Sequence, residues 1–153
     1  MRERDSVFPG HEESGRVLGI SNKVYSAVRG RAPARERPLH WVGSSRKDLL
    51  AFPRDVVAEM GYSLGIVQVG GMPPSAEPWK GEGPGVFELA EEARGDAYRV
   101  VFTVRFERAI YVLHCFQKKS PGGRRTASGD VALIHRRLQA AREDYEVRHG
   151  QES

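Results

Sequence analysis

Apolar residues recur along this chain with two different periods, and the switches between them mark out its elements. The run Leu39-His40-Trp41-Val42 has the short apolar character of a strand. Ser45-Arg46-Lys47-Asp48 has the Ser-x-x-acid form of a capping box and predicts a short helix over 46–52. Pro53 suits the first turn of a second helix, where its missing N–H leaves nothing unsatisfied. Phe52, Val56, Met60, Leu64 and Val67 then recur at helical spacing and give that helix one buried stripe. Gly61 and Gly65 within it mark close packing against another element. Gly70-Gly71 and Pro73-Pro74 end it. After a Pro- and Gly-rich loop at 72–85, three strand signals follow, at 86–91, 98–106 and 109–117. Their connections are short enough for antiparallel hairpins. A Gly-, Arg- and Ser-rich loop at 120–128 leads to a last helix over 129–148, with Val131, Ile134, Leu138, Ala141 and Tyr145 along its buried side. The order is that of an α+β domain.

Strand alternation divides the meander into two faces. Tyr98, Val100, Phe102, Val104 and Phe106 share one, and Arg99, Val101, Thr103 and Arg105 the other. A two-residue turn at Glu107-Arg108 pairs Phe106 with Ala109 and sets Arg99 opposite Phe116. Ile110, Val112, His114, Phe116 and Lys118 then join the Arg99 face, while Tyr111, Leu113 and Cys115 join the core face. An even-length turn around Arg94-Gly95 places Phe87 and Leu89 on the core face and Glu88 beside Arg99. The Arg99 face thus mixes cations, an imidazole and an exposed aromatic, a set suited to phosphate pairing with base stacking.

The first 38 residues lack a sustained period. Arg2, Arg4, Arg16, Lys23, Arg29, Arg31, Arg35 and Arg37 stand there among Gly, Pro, Ser and Glu, as in a flexible basic tail. Residues 39–148 read as the folded domain and 149–153 as a short C-terminal tail. At 153 residues the chain has room for one modest core. A net charge of +4 fits a partner carrying phosphate. A single cysteine excludes a disulfide framework and points to a reducing cytoplasm. No apolar run approaches a membrane span, and the histidines show no metal-ligand spacing.

Four segments carry a family resemblance: Trp41-Val42-Gly43-Ser44-Ser45-Arg46-Lys47-Asp48-Leu49, Pro78-Trp79-Lys80-Gly81, Tyr98-Arg99-Val100-Val101 and Val112-Leu113-His114-Cys115-Phe116-Gln117-Lys118-Lys119. In that order they resemble the phage-derived, HigB-like branch of the RelE/ParE toxin superfamily. The resemblance implies a RelE-like fold, a twisted antiparallel sheet with two N-terminal helices and a C-terminal helix. It implies a type II toxin that cleaves mRNA on the ribosome without metal or cofactor and is neutralised by a helix-turn-helix antitoxin. Such chemistry activates a ribose 2′-OH against the adjacent phosphate and needs a proton acceptor, a proton donor and cations. By this resemblance Arg99 clamps the scissile phosphate. Lys118 and Lys119 form the basic pair closing the strand, Lys80 belongs to the Pro-x-Lys-Gly segment, and Glu88 is the acidic position of the following strand. Many relatives place an arginine shortly after that position, where this chain has Leu89-Ala90-Glu91-Glu92, so the general base stays unassigned.

Each candidate has an ordinary structural alternative. Arg99 could pair with Glu88 in a salt bridge, Lys118 and Lys119 could solubilise a strand end, and His114 could be a satisfied structural histidine as readily as an acid or base. Arg105, Phe116 and Lys80 are expected to contact RNA. Cys115 points to the core and should be inert, Trp41 and Trp79 should pack, and Arg136, Arg137 and Arg142 read as the solvated side of the last helix. Competing functions are a degenerate RelE-fold protein that binds RNA or antitoxin without cleaving, and a ParE-like gyrase inhibitor.

Overall fold

The structure, a computed structural model, describes residues 6–9, 36–118 and 128–150. Six strands among them form one sheet in the order β1-β2-β6-β5-β4-β3. They are β1 (Val7–Pro9), β2 (Leu39–Val42), β3 (Ala76–Pro78), β4 (Val86–Ala93), β5 (Asp96–Thr103) and β6 (Ile110–Lys118). Helices α1 (Ser45–Leu50), α2 (Arg54–Gln68) and α3 (Ser128–His149) complete the α+β arrangement, which fits a RelE-like fold. The sheet is mixed, not purely antiparallel. β2 runs parallel to β6, since the chain passes through α1 and α2 and the meander before returning alongside it.

Two elements lie where the sequence predicts none. β1, within the stretch read as a flexible tail, pairs antiparallel with β2. β3, within the predicted loop at 72–85, pairs with β4. Both are three residues long, too short for alternation to register. The rest of the predicted tail lies outside the described residues, as do most of the loop at 120–128 and Lys119.

The β4–β5 hairpin is as predicted. Ala93 pairs with Asp96 across Arg94-Gly95, and both turn residues have positive φ, 53° and 87°. That is the two-residue turn whose twist matches the flanking strands. The β5–β6 connection differs. Arg99 does sit opposite Phe116 and Val101 opposite His114, but the next pair is Phe102 with Val112. Leu113 is therefore an extra residue, a β-bulge. Pairing ends at Thr103–Tyr111, well short of a Phe106–Ala109 turn. Residues beyond Thr103 are held elsewhere: Val104 N–H donates to the Gly85 carbonyl, and the Arg37 guanidinium donates to the carbonyls of Val104 and Phe106.

The bulge exchanges the faces at the start of β6. Ile110 and Val112, expected beside Arg99, join Leu89, Val100, Phe102 and Cys115 in the core under α1 and α2. Tyr111 and Leu113, expected in that core, join Val101, Phe116, Ile134, Leu138 and Ala141 under α3. Helices thus cover both faces. Each fully buried Leu, Val or Phe side chain contributes roughly 1.5–3 kcal/mol, so the two clusters hold the fold together. Trp41 and Trp79 pack as expected, whereas Val131 is 41% exposed.

The predicted capping box does not form. Ser44 is the N-cap of α1, and its hydroxyl donates to Asp48 Oδ2 at 2.7 Å. The Ser45 hydroxyl turns inward instead and donates to the Val112 carbonyl at 3.2 Å.

Candidate functional site

Pairing in β4, β5 and β6 brings Glu88, Arg99, His114, Phe116 and Lys118 onto one face. Glu88 stands opposite Val101, Arg99 opposite Phe116, and Lys118 opposite Ala97. α3 packs across this face over β6, while β4 and the near end of β5 lie beyond its main footprint. The face therefore runs from a covered side at His114 to a more open side at Glu88.

At the open side the Arg99 guanidinium donates to Glu88 Oε1 at 3.1 Å, with the two side chains 20% and 16% exposed. This is the salt bridge that the sequence offered as the alternative to phosphate binding. It neutralises both groups yet leaves Arg99 Nε buried without a hydrogen-bond partner among the described residues. A phosphate would have to compete with Glu88 for the guanidinium, whose planar fork matches either anion. Lys118 closes the same strand end, and Lys119 lies outside the described residues.

On the covered side, His114 is buried and its Nε2 lies 2.7 Å from Asp130 Oδ1, in the first turn of α3. Burial, more than Asp130 offsets it, lowers the His114 pKa, so the ring is neutral near pH 7 and donates from Nε2 to the carboxylate. Nδ1 then carries the lone pair, and it is buried without a partner among the described residues. Its ring stacks on Phe116 at 4.8 Å between centroids. Phe116 is itself only 8% exposed, because α3 lies over it. The expected exposed stacking platform is thus a packed side chain.

The remaining candidates, Lys80 and Arg105, meet at the 79–85 loop. Arg105 is committed to it: its guanidinium donates to the Glu82 carbonyl at 2.6 Å and the Pro84 carbonyl at 2.9 Å. The loop passes so close that a Cβ on Gly85, where φ is +90°, would stand 3.2 Å from Arg105 Cβ. Arg105 shapes the loop, and Lys80 stands exposed on it. His135 of α3 reaches the same loop through Glu82 Oε1 at 3.1 Å. Cys115 is buried on the opposite face, where burial pushes its thiol up, away from the reactive thiolate.

Sequence patterning missed Arg137. Read as solvated, it is 3% exposed, and its guanidinium donates to the Leu113 carbonyl at 3.0 Å and the Ser44 hydroxyl at 3.1 Å. Its only sequence signal is its place at i+3 from Ile134, on the apolar stripe. A second polar group lies at the far end of the same face. Tyr111 donates its hydroxyl to Asp144 Oδ2 at 2.7 Å, and the ring of buried His40 packs against it at a tilt, 5.0 Å between centroids. A cleft of about 780 Å³ near that end is lined by Glu36, Arg37, Glu107, Arg108 and His149, and by none of the predicted site residues.

Among the described residues no three of His, Cys, Asp and Glu stand together as a metal site, and no helix is long and apolar enough to cross a membrane. Residues 47–139, more than half of the chain, match the family described as Phage derived protein Gp49-like (DUF891). The chain belongs to this Gp49-like family. It is a family of RelE/ParE-like toxins, and the match runs from within α1 to the middle of α3, with Arg99, Glu88, His114 and Arg137 inside it. No curated protein and no solved structure matches this Gp49-like chain.

Proposed function

We propose that this Gp49-like protein is the toxin of a type II toxin–antitoxin pair and an mRNA endonuclease, akin to the HigB-like branch of its superfamily. The observation that carries this reading is the half-buried Arg99–Glu88 pair with Lys118 on the same face. The reaction asks for a cation at the scissile phosphate and a proton acceptor at the 2′-OH. In this reading Arg99 supplies the first, and its 3.1 Å contact with Glu88 supports Glu88 as the second. Lys118 adds charge for the developing phosphorane. His114, neutral and engaged by Asp130, serves better as a support for α3 than as the proton donor, which has no assigned residue. The partners in this reading are mRNA, cut on the ribosome in the cytoplasm, and a helix-turn-helix antitoxin.

The test is Arg99→Ala. Induced expression with primer extension on cellular mRNA should show cleaved ends for the native chain and a loss of at least about 10²-fold for the variant. Circular dichroism should show the variant folded. Undiminished cleavage removes Arg99 from the chemistry. A second reading, a non-catalytic protein of the same fold, is favoured by two observations: Glu88 already neutralises Arg99, and Phe116 is packed away. That protein would bind RNA or antitoxin and leave no cleaved ends. A supercoiling assay with purified gyrase covers the ParE-like alternative.

A further inference from the structure

Arg137 is the most deeply buried arginine among the described residues, and burying a guanidinium is costly unless its donors are used. Its donors go to a particular place. Leu113, the extra residue of the β6 bulge, has lost its place in the ladder with β5, and its carbonyl accepts from Arg137. The preceding carbonyl, that of Val112, accepts from the Ser45 hydroxyl at the start of α1. Arg137 also donates to Ser44, which in turn donates to Asp48. The bulge is thus held from both sides of the sheet by side chains of α1 and α3.

The bulge has a consequence at the candidate site. It leaves Leu113 and His114 consecutive on the α3 face, and from His114 onward the strand is in register with Arg99. Without it, Phe102 would pair with Leu113, and Tyr111 and Leu113 would leave the α3 face. α3 grips this stretch twice, with Asp130 on His114 and, seven residues later on the same helix face, Arg137 on Leu113.

We propose that Arg137 is the positioning residue of the candidate site: by holding the Leu113 carbonyl and Ser44 it fixes the β6 bulge, which keeps Tyr111 and Leu113 under α3 and so seats α3, with Asp130 on His114, over the face that carries Arg99. The proposal rests on the endonuclease reading only for its consequence in catalysis. Its structural half stands without it.

Two variants of the full chain test it. Arg137→Met keeps the volume and removes the donors, whereas Arg137→Lys keeps the charge and loses the two-pronged geometry. Cross-strand NMR contacts and amide exchange report the pairing directly. The native chain should show Val101 against His114 and Phe102 against Val112. Arg137→Met should lose the second pairing and the protection of residues 112–114, and Arg137→Lys should lose them in part. In the cleavage assay, kcat should fall about tenfold or more in Arg137→Met with little change in KM, because misplaced groups and not lost RNA contacts are responsible. Arg137→Lys should recover part of that loss. Native pairing and protection in both variants would overturn the proposal. Should Arg137→Met fail to fold, Arg137→Lys with native pairing and native kcat overturns it equally. Altered pairing in a protein that never cleaves RNA would leave the positioning role standing and remove the endonuclease reading. Unaltered pairing with Arg99-dependent cleavage would do the reverse.

Discussion

The two faces of the sheet are built on different terms. Under α1 and α2 the sheet residues of the buried cluster are apolar, from Leu39 and Trp41 through Leu89 to Phe102 and Cys115, and the buried polar side chains there, Ser45, Ser63 and Gln68, are uncharged and belong to the helices. Under α3 the apolar residues share their face with Glu88, Arg99, His114, Arg137, His40 and the Tyr111–Asp144 pair. Burial of hydrocarbon is non-directional and tolerates small displacements, whereas buried polar groups need partners at fixed distances and angles. The first face therefore supplies stability, and the second supplies position. Substitutions on the two faces should separate these contributions.

The largest effect belongs to the apolar face. Phe102 is fully buried and stacks on Phe87 at 5.9 Å. Phe102→Ala should cost about 3–5 kcal/mol in urea unfolding. Arg99→Ala, on the other face, should stay within about 1 kcal/mol of the native chain while removing cleavage. If Phe102→Ala unfolds no more easily than Arg99→Ala, the division between the faces does not hold.

The same division decides what was legible in the sequence. On the apolar face a residue either fits the period or does not, so Val56, Met60, Leu64 and Val67 in α2 and the Arg94-Gly95 hairpin could be read directly. The pairing of Arg99 with Phe116 was also legible, since a slip there would bury an arginine in the apolar core. The bulge at Leu113 was not. Ile110 to Leu113 are all apolar and, because both faces are covered, satisfy burial in either register. Arg137 was hidden for a related reason: an arginine on a helix reads as solvated unless the carbonyl it serves is known. The candidate site was found as a set of residues, but the covering of His114 and Phe116 by α3 depends on tertiary packing that alternation does not report.

A smaller effect is expected at the far end of the polar face. Burial chiefly, helped by the charge of Arg148, lowers the His40 pKa from 6.5 to about 4. As the pH falls below about 6.5 the unfolded chain takes up a proton there. The folded chain does not until about pH 4. Unfolding thus becomes progressively easier across that window, and the stability present above it declines by up to ~3 kcal/mol. The lowered pKa of His114 acts with the same sign. Urea midpoints at pH 7, 6, 5 and 4 should fall for the native chain and fall less for His40→Leu. Parallel curves for the two proteins would show that His40 protonates in the folded state as it does in the unfolded one.

The smallest effects compare two cations at one loop, Lys80 on it and Arg105 holding it from beyond β5. The Arg105 guanidinium is spent on the carbonyls of Glu82 and Pro84, whereas Lys80 stands exposed two residues away from Glu82. Arg105→Ala should loosen the loop, lowering stability by about 1 kcal/mol for hydrogen bonds at a partly solvated site and speeding amide exchange across residues 82–85. Lys80→Ala should leave stability within about 0.5 kcal/mol. Its effect belongs to RNA binding: one lost phosphate contact should lower affinity alike for all sequences and reduce the slope of log K against log salt by about 0.7. The pair of variants tells a charge that binds from a charge that shapes. A salt slope that drops with Arg105→Ala and not with Lys80→Ala would reverse the two roles. The loop would then act on RNA through the residue now seen holding it in place.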